Sequence, residues 1–371
     1  MNKLVFKAGL WEASVNISGR KVVIVGAGIV GASIAWHLSR QGHIVTVVDK
    51  DLPASGATGS AFGWITCAVS ENAPDALLRK TAAADWHRLE SEIPELDINW
   101  SGSLSYSEIP QVVLPGEIRL KQPAIRCLEP ALACPPCEAR LAEKDGAVNA
   151  AEATRILLAR ACALGAVLKI RTMVSGFCYK EGVVKGVMTS EGRLAADHVV
   201  LACGTGIPGL TSGQADRRIP VRASPAVLMR FAAPEKLVKT LIAGDDIEVR
   251  HARNGDLLAA EDFPVKGCLQ ETVISTLTAI KNGLKGAESV SLIGYSTRLR
   301  PIPEDGKPVI GFTDQSQRVY IAVMHPAVTC AATIGRLVSE EISDGTNAQI
   351  PEHWRPSRFF TSHNDCQKNS K

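Results

Sequence analysis

The sequence predicts an α/β protein in which a doubly wound parallel sheet, interrupted along the chain, is combined with a second, β-rich domain. The first observation is a strand, a glycine turn, a helix and another strand within residues 21–49, the order of a βαβ unit. The second is a further buried, parallel-type strand at residues 199–202, about 150 residues downstream. The third is that the chain between them contains short β-rich segments, so separate parts of the chain build the sheet.

The βαβ unit follows from residue type and spacing. A β-branched run at residues 21–25 predicts a buried strand, and three closely spaced glycines follow it directly. Apolar residues at helical spacing predict a helix over residues 32–40, which Gly42 ends. A second β-branched run at residues 44–48 completes the unit. We expect a loop of small residues over 53–63 to follow it.

The remaining elements are predicted in the same way. Apolar residues at helical spacing predict four more helices, the first capped by Asp75, at residues 76–89, 149–164, 271–282 and 329–342. Strands are predicted at residues 167–170, 199–202, 218–231, 246–260 and 319–323, with an antiparallel meander over 177–188 and 193–195. Residues 93–144 combine short strands with prolines and lack a long helix. Residues 1–19 and 351–371 are expected to be terminal extensions, the second a polar surface tail.

Composition places the chain among globular proteins and argues against three other classes. Hydrophobic residues make up 46% of the 371 residues, and the formal net charge is +3. The basic residues are scattered, whereas a nucleic-acid-binding surface needs them on one face. No apolar run reaches the roughly 18 residues of a membrane span. Ten cysteines at irregular spacing favour reduced thiols in the cytoplasm over a disulfide scaffold.

The glycines after the first strand form a dinucleotide-binding fingerprint. Gly26 permits a tight turn, Gly28 lets the backbone approach a pyrophosphate, and Gly31 lets the helix pack closely. Asp49 lies 21 residues beyond Gly28, where its carboxylate can accept hydrogen bonds from a ribose. Since these glycines lie between a buried strand and a helix, the spacing predicts a dinucleotide site. The alternative is a tight turn that binds nothing.

The choice between NAD and FAD depends on how the nucleotide domain is completed. An NAD-dependent enzyme usually completes it directly after the fingerprint. Here the next matching strand ends far downstream at Gly204, and a third glycine-marked segment lies near Gly311. The nucleotide domain is therefore interrupted by β-rich insertions, and an NAD(P)-dependent oxidoreductase is the rival of a flavoprotein.

Five segments match motifs of one family in the family's order. They are a fingerprint at residues 23–38, a small-residue loop at 56–65, a glycine-containing stretch at 100–104, a strand end at 199–204 and an "RP…DG.P.IG" signature at 298–311. Together they resemble the D-amino-acid oxidase and glycine oxidase group of FAD-dependent amine oxidoreductases, which includes opine oxidase and hydroxyproline dehydrogenase flavin subunits. The signature is the most specific match.

The resemblance implies a Rossmann-like FAD-binding domain, discontinuous in sequence, that is covered by a β-rich substrate domain. The FAD-binding domain would comprise residues 20–95, 145–214 and 296–350, and the substrate domain residues 96–144 and 215–295. The implied reaction is oxidation of a C–N bond in a small amino acid by hydride transfer to flavin N5, giving an imine that water hydrolyses. D-amino acids, imino acids and N-substituted, opine-type amino acids are the implied substrates.

The resemblance leaves the electron acceptor open. Oxygen, a quinone and partner subunits with iron–sulfur clusters are the alternatives, and a quinone or similar acceptor would bring peripheral membrane association. The chain would accordingly form a homo-oligomer or a hetero-oligomer with electron-accepting subunits. Besides the NAD(P)-dependent reading, a non-catalytic flavin subunit of a larger electron-transfer complex is the second rival.

The resemblance also implies which residues bind FAD. They lie in the fingerprint, after the second strand, in the small-residue loop, and around the later strand ends. They are Gly26, Gly28, Ile29, Val30, Gly31, Asp49, Lys50, Ser60, Ala61, Phe62, Gly63, Trp64, Val174, Ala202, Gly204, Arg300, His325, Pro326, Ala327, Val328 and Thr329. Two stretches depart from the family: residues 324–329 replace a Gly-His-Gly-type loop, and residues 60–62 lack a common Asn.

Three arginines and one histidine are candidates for the reaction itself. In the resembled family the arginine of the Arg-Pro pair, here Arg300, holds the substrate carboxylate, and a guanidinium fork suits a carboxylate. Arg298 would point the same way along a strand, and Arg250 is a third candidate for substrate binding. His325 precedes the last helix, where backbone N–H groups could stabilise a reduced ring. Each has a structural alternative, namely an ion pair or a packed side chain.

The cysteines do not predict a metal site. Cys134 and Cys137 form a Cys-Pro-Pro-Cys motif, but zinc would need a second Cys or His pair, and none is present. The prolines also disfavour the helix N-terminus that activates a redox cysteine. Cys67 and Cys330 lie in segments expected near the flavin, where a covalent link is conceivable. Packing as small hydrophobic side chains is the simpler expectation.

Overall fold

A computed structural model of the protein describes residues 19–109, 112–212, 218–264, 268–345 and 349–360. Expectations for residues 1–18 and 361–371 lie outside the described residues. The helices of the described chain are α1 (Ile29–Arg40), α2 (Ala76–Glu92), α3 (Gln122–Leu128), α4 (Ala150–Ala163), α5 (Ile207–Thr211), α6 (Leu269–Gly283) and α7 (Ala327–Asp344).

The strands divide into two large sheets, a meander and a small pair. They are β1 (Lys21–Val25), β2 (Ile44–Val48), β3 (Trp64–Ile65), β4 (Ser103–Ser105), β5 (Ile118–Lys121), β6 (Glu138–Ala142), β7 (Gly146–Ala147), β8 (Val167–Lys169), β9 (Val174–Lys180), β10 (Val183–Thr189), β11 (Gly192–Ala195), β12 (His198–Leu201), β13 (Val221–Ala232), β14 (Leu241–Ala243), β15 (Glu248–His251), β16 (Leu257–Asp262), β17 (Ser291–Pro303), β18 (Val309–Phe312) and β19 (Val319–Val323).

The first large sheet has the order β18-β19-β12-β1-β2-β8 and is parallel except at β18. Its buried strands are rich in valine and isoleucine because both faces are covered. Helices α1, α2, α4 and α7 cover one face. The antiparallel meander β9–β11 and the short α5 cover the other. The α/β prediction, with its chain-interrupted sheet, is confirmed.

The second large sheet has eight strands in the order β17-β13-β16-β15-β14-β4-β6-β5. Side chains alternate between its faces. One face packs on α3 and α6 around Val227, Met229, Val249 and Ala259, all at most 1% exposed. The opposite face of β13, β15, β16 and β17 is turned toward the first sheet and carries the charged side chains described below.

Several boundaries and elements differ from the sequence prediction, which gave no strand for β17 or β18. The single strand expected over residues 246–260 is wrong: β15 and β16 form a hairpin, and Gly255 turns the chain at φ +88°. Helix α1 begins at Ile29, three residues early, because Gly28 takes the N-cap position. Asp75 stands at the N-cap of α2 but does not cap it; its carboxylate accepts from Arg79 Nε at 2.7 Å instead.

The expected surface tail is also wrong where it is described. Trp354 is 1% exposed, and its indole Nε1 donates to the Pro74 carbonyl at 2.9 Å. The neighbouring Arg355 donates to the buried carboxylate of Glu341 at 2.7 Å. Residues 351–360 therefore cover the core of the first sheet. Among the described residues we find no helix with the length and apolar character that crossing a membrane requires.

Candidate active site

A cavity of about 1290 Å³ lies between the two large sheets. That volume exceeds the roughly 300–1,000 Å³ of a pocket for one drug-sized ligand, so it has room for a large cofactor and a small substrate. Of the 21 residues predicted to bind the cofactor, 20 line it, and only Gly31 does not. The structure thus brings together segments that are up to about 300 residues apart in sequence.

The glycine turn at one end of the cavity can be built only with glycine. Gly26 has φ +113°, and a Cβ there would lie 2.6 Å from the Ala202 carbonyl oxygen. A Cβ on Gly31 would lie 2.0 Å from the Gly26 oxygen, so Gly31 allows the close packing that the sequence predicts. Asp49 accepts the Ala27 N–H at 2.7 Å, and this contact fixes the turn against the end of β2.

The N-terminus of α1 opens onto the same end of the cavity. Gly28 and Ile29 line the cavity, and the Ile29 N–H donates to Thr58 Oγ1 at 3.1 Å. Helix N-termini bind anions because unpaired N–H groups and the helix dipole both favour negative charge. The glycine cradle, this N-terminus and the carboxylate of Asp49 fit the pyrophosphate and ribose of FAD. The sequence analysis missed Thr58, which only the fold brings to the helix.

The small-residue loop is held by Arg250, which the sequence analysis assigned to substrate binding. Arg250 is 7% exposed and does not line the cavity. Its guanidinium donates to the carbonyls of Phe62 at 2.6 Å, His251 at 3.1 Å and Val148 at 3.4 Å. Burial lowers its pKa to about 10, so it stays charged at neutral pH. The structure places Arg250 behind the loop, where it supports the backbone of the cofactor end.

Gly63 shows how tightly this loop is packed. Its φ is +82°, and an added Cβ would lie 2.1 Å from the Val148 oxygen and 2.9 Å from Arg250 Nη2. The next residue, Trp64, donates its indole N–H to Asp145 at 2.8 Å. Asp145 is buried and also accepts from the Ser103 hydroxyl at 2.8 Å; burial raises the pKa of its carboxyl. The loop is thereby tied to the second sheet.

The start of α7 forms the opposite wall. His325 to Thr329 line the cavity, and the Thr329 hydroxyl donates to the Trp64 carbonyl at 3.0 Å. The positive end of the α7 dipole therefore faces the cavity. The His325 side chain is exposed toward the cavity, but the protein around it partly desolvates the imidazole and so lowers its pKa. The charges of Arg300 and Arg79 lower this pKa further. This histidine is neutral at neutral pH.

Arg300 and Arg298 both line the cavity but do different things. Arg300 Nη2 donates to Ser224 Oγ at 3.2 Å and to Asp262 Oδ1 at 2.5 Å, while its buried Nε has no hydrogen-bond partner among the described residues. Arg298 donates to the Ser55 carbonyl at 3.1 Å, near the glycine turn. Arg300 therefore belongs to the part of the cavity wall that Asp262 and Glu248 also line, called the substrate end for the role proposed below, and Arg298 holds the loop at the cofactor end.

The sequence analysis missed acidic side chains at the substrate end. Glu248, Glu261 and Asp262 all line the cavity. Burial raises the pKa of Glu248 to about 7, and the charges of Glu261 and Asp262 contribute. A signal was present: Glu248 and Arg250 are two residues apart on β15 and share a face of the strand. The single-strand prediction over residues 246–260 obscured this pairing.

The thiols near the cavity stay protonated. Burial raises the pKa of Cys67 to about 12, helped by the charge of Asp145, and raises the pKa of buried Cys330 strongly. Since the thiolate is the nucleophile, neither is activated for a covalent link. Cys134 and Cys137 are exposed free thiols. In the described part of the chain no group of three or more His, Cys, Asp or Glu side chains could hold a metal ion.

Comparison with known proteins decides the family. Residues 21–341 match the model of the FAD dependent oxidoreductase family, DAO. The chain belongs to this family. The family prediction, the fold class and FAD as the cofactor are thereby confirmed, and the NAD(P)-dependent reading is not supported. In this FAD dependent oxidoreductase the residues of the glycine cradle, the small-residue loop and the start of α7 would hold the cofactor.

Individual relatives are distant. The chain is 23% identical to the bifunctional protein ThiO/ThiG of Trichormus variabilis, over 92% of this chain and 55% of that protein. Thus the chain spans about half the length of that curated relative. It is 23% identical to the D-amino acid dehydrogenase of Rhizobium rhizogenes, over 89% of this chain and 97% of that one. A glycine oxidase structure from Bacillus cereus has a TM-score of 0.80 at 21% identity, covering 89% and 96% of the two chains.

Proposed function

We propose that this protein oxidises the C–N bond of a small amino acid to an imine that water then hydrolyses. The observation that carries the proposal is Arg300, whose guanidinium is part of the cavity wall. A substrate carboxylate in the cavity would pair with the charge of the guanidinium, in competition with the exposed carboxylate of Asp262. Relatives named glycine oxidase and D-amino acid dehydrogenase support the substrate class.

The residues of this chain would orient the substrate and control its surroundings. FAD, when bound, supplies the hydride acceptor. Arg300 would fix the carboxylate and so turn the carbon bearing nitrogen toward the cofactor. His325, neutral at neutral pH, adds no positive charge beside the amine, which must lose its proton before it is oxidised. The positive end of α7 would stabilise negative charge next to Ala327 and Val328.

We also propose the two domains that were expected from the sequence. The six-stranded sheet, with residues 20–95, 145–214 and 296–350, would form the FAD-binding domain. The eight-stranded sheet, with residues 96–144 and 215–295, would form the substrate domain. Strand β17 (Ser291–Pro303) belongs to the eight-stranded sheet and crosses the proposed boundary at residue 296, so it would connect the two domains directly. Oxygen uptake and reduction of a quinone analogue by the substrate-loaded enzyme would identify the acceptor.

The test is an absorption spectrum of the purified protein, followed by anaerobic addition of amino acids. The panel contains D-, imino- and N-substituted amino acids with neutral and basic side chains. We expect flavin absorption that one class bleaches, and a substitution Arg300→Met that abolishes bleaching without releasing FAD. A flavin that no amino acid reduces would contradict the proposal and favour a non-catalytic flavin subunit. A chain that cannot be loaded with FAD would overturn the cofactor assignment as well.

A further inference from the structure

Glu248 occupies the cavity wall of the substrate end. It pairs with Ala243 on β14, and its neighbour Val249 pairs with Ala259 on β16. Val249 is 0% exposed and faces the core beneath the sheet. Because side chains alternate along a strand, Glu248 is on the opposite, cavity face, and it lines the cavity.

The Glu248 carboxylate has no direct ion-pair partner within the described chain, and the charge of Arg300 only partly offsets its own. Arg300 donates to Asp262, and Arg79, the other arginine at this end, donates to Asp75. The side chain of Glu248 forms no ion pair or hydrogen bond with any described residue, whereas its backbone belongs to the β14–β15 ladder. A half-buried carboxylate without a direct partner loses hydration and gains no hydrogen bond in return. Its pKa of about 7, raised by burial, reflects that loss.

We infer that Glu248 selects an amino acid that carries a second cationic group in its side chain. This inference rests on the proposed function. The substrate carboxylate binds Arg300, and the reacting amine must be neutral, so that amine does not offset the carboxylate of Glu248. A side-chain ammonium or guanidinium does offset it, as a charge-assisted hydrogen bond inside the cavity. A neutral side chain of the same length leaves Glu248 unpaired.

Lysine and norleucine test this directly, because they differ only by the terminal ammonium. In the FAD-loaded protein we expect the reacting enantiomer of lysine to reduce the flavin with a second-order rate constant roughly 10- to 100-fold above that of norleucine, the range of one charge-assisted hydrogen bond. Substitution Glu248→Gln keeps the side-chain shape and removes the charge. It is expected to bring the lysine-to-norleucine ratio close to one.

The matched control is Glu288→Gln, which makes the same change at an exposed position outside the cavity lining. It should leave the ratio as in the unmodified protein. Flavin absorption and the thermal midpoint establish that each variant is folded and loaded. The unmodified protein already tests the inference if Glu248→Gln does not fold, since the lysine-to-norleucine ratio needs no variant.

The outcomes separate this inference from the proposed function. If neutral amino acids reduce the flavin and norleucine equals or exceeds lysine, the inference is overturned and the proposed function stands. A lysine preference that persists in Glu248→Gln would also overturn the inference, because the preference would then not depend on the charge of Glu248. If no amino acid reduces the flavin, both fall together.

Discussion

Replacing Arg250 with lysine separates a structural role from the substrate role that the sequence suggested. Lysine keeps the charge but not the planar fork, so one ammonium cannot reach carbonyls on three sides. Arg250 contacts the Phe62, His251 and Val148 carbonyls at 2.6, 3.1 and 3.4 Å. We expect Arg250→Lys to keep one of the two short bonds and to lose the other contacts.

The size of the effect follows from those contacts. A hydrogen bond from a charged donor is worth about 1.5–3 kcal/mol, and the long third contact adds less, so the variant loses about 2–4 kcal/mol. The lysine of the variant is still a buried charge, so its desolvation continues to destabilise the folded protein as that of arginine does. For a chain of 371 residues we expect a thermal midpoint lower by roughly 3–5 °C. The FAD dissociation constant should rise, because Phe62 and Gly63 line the cavity.

The assay is thermal unfolding of Arg250→Lys with and without FAD, with FAD affinity measured by fluorescence. Arg298→Lys is the matched control: Arg298 is exposed and lies on β17 of the same sheet, and we expect the thermal midpoint of this variant to fall by less than about 2 °C. The structural role is refuted if Arg250→Lys unfolds like the unmodified protein while the KM for the amino acid rises. That pattern would return Arg250 to the substrate.

The remaining predictions concern the substrate end and the C-terminal segment. Arg300→Lys should lower kcat/KM for amino acids roughly 10- to 100-fold and leave an amine without a carboxylate unaffected, as measured by anaerobic flavin reduction; equal losses for both would contradict carboxylate binding. Trp354→Ala should cost about 3–5 kcal/mol in a denaturant titration, and an unchanged midpoint would mean that residues 351–360 do not pack. The lysine-to-norleucine ratio should rise between pH 6 and 8. Burial, with the charges of Glu261 and Asp262, raises the pKa of Glu248 to about 7, so its carboxylate is charged above that pH. A ratio that does not change with pH would argue against a charged Glu248.

The cofactor end could be predicted from the sequence because its residues lie in short, contiguous motifs. Gly26 and Gly28 follow a buried strand, and Asp49 ends the next one, so spacing alone fixes their relative positions. The start of α7 at Ala327 is similarly tied to the end of β19. In each case the loop follows the carboxyl end of a parallel strand, so all these loops lie at one edge of the sheet, where ligands bind in such folds. The relative positions of the residues at the cofactor end can therefore be predicted from short stretches of sequence.

The substrate end could not be predicted in this way, because its residues meet only through the pairing of β13, β15, β16 and β17. Asp262 reaches Arg300 across β13, with Ala226 and Ser224 setting the register. Glu248 joins them only through the β15–β16 hairpin, which the sequence analysis took for one strand. Once the hairpin is known, the alternation of residues 248–251 assigns each side chain to a face.

Strand β15 brings the two ends of the cavity together. Glu248 and Arg250 are on the same face, about 6.6 Å apart along the strand, and have opposite charges. They do not neutralise each other, because the guanidinium donors of Arg250 are committed to backbone carbonyls of the loop at the cofactor end. Arg250 thus supports the cofactor from behind, and its neighbour Glu248 keeps an unpaired carboxylate for the substrate. A shift of β15 by two residues would place Arg250 where Glu248 now lies, so the β15–β16 register set by the hairpin turn at Gly255 fixes both the support of the cofactor loop and the charge that the substrate meets.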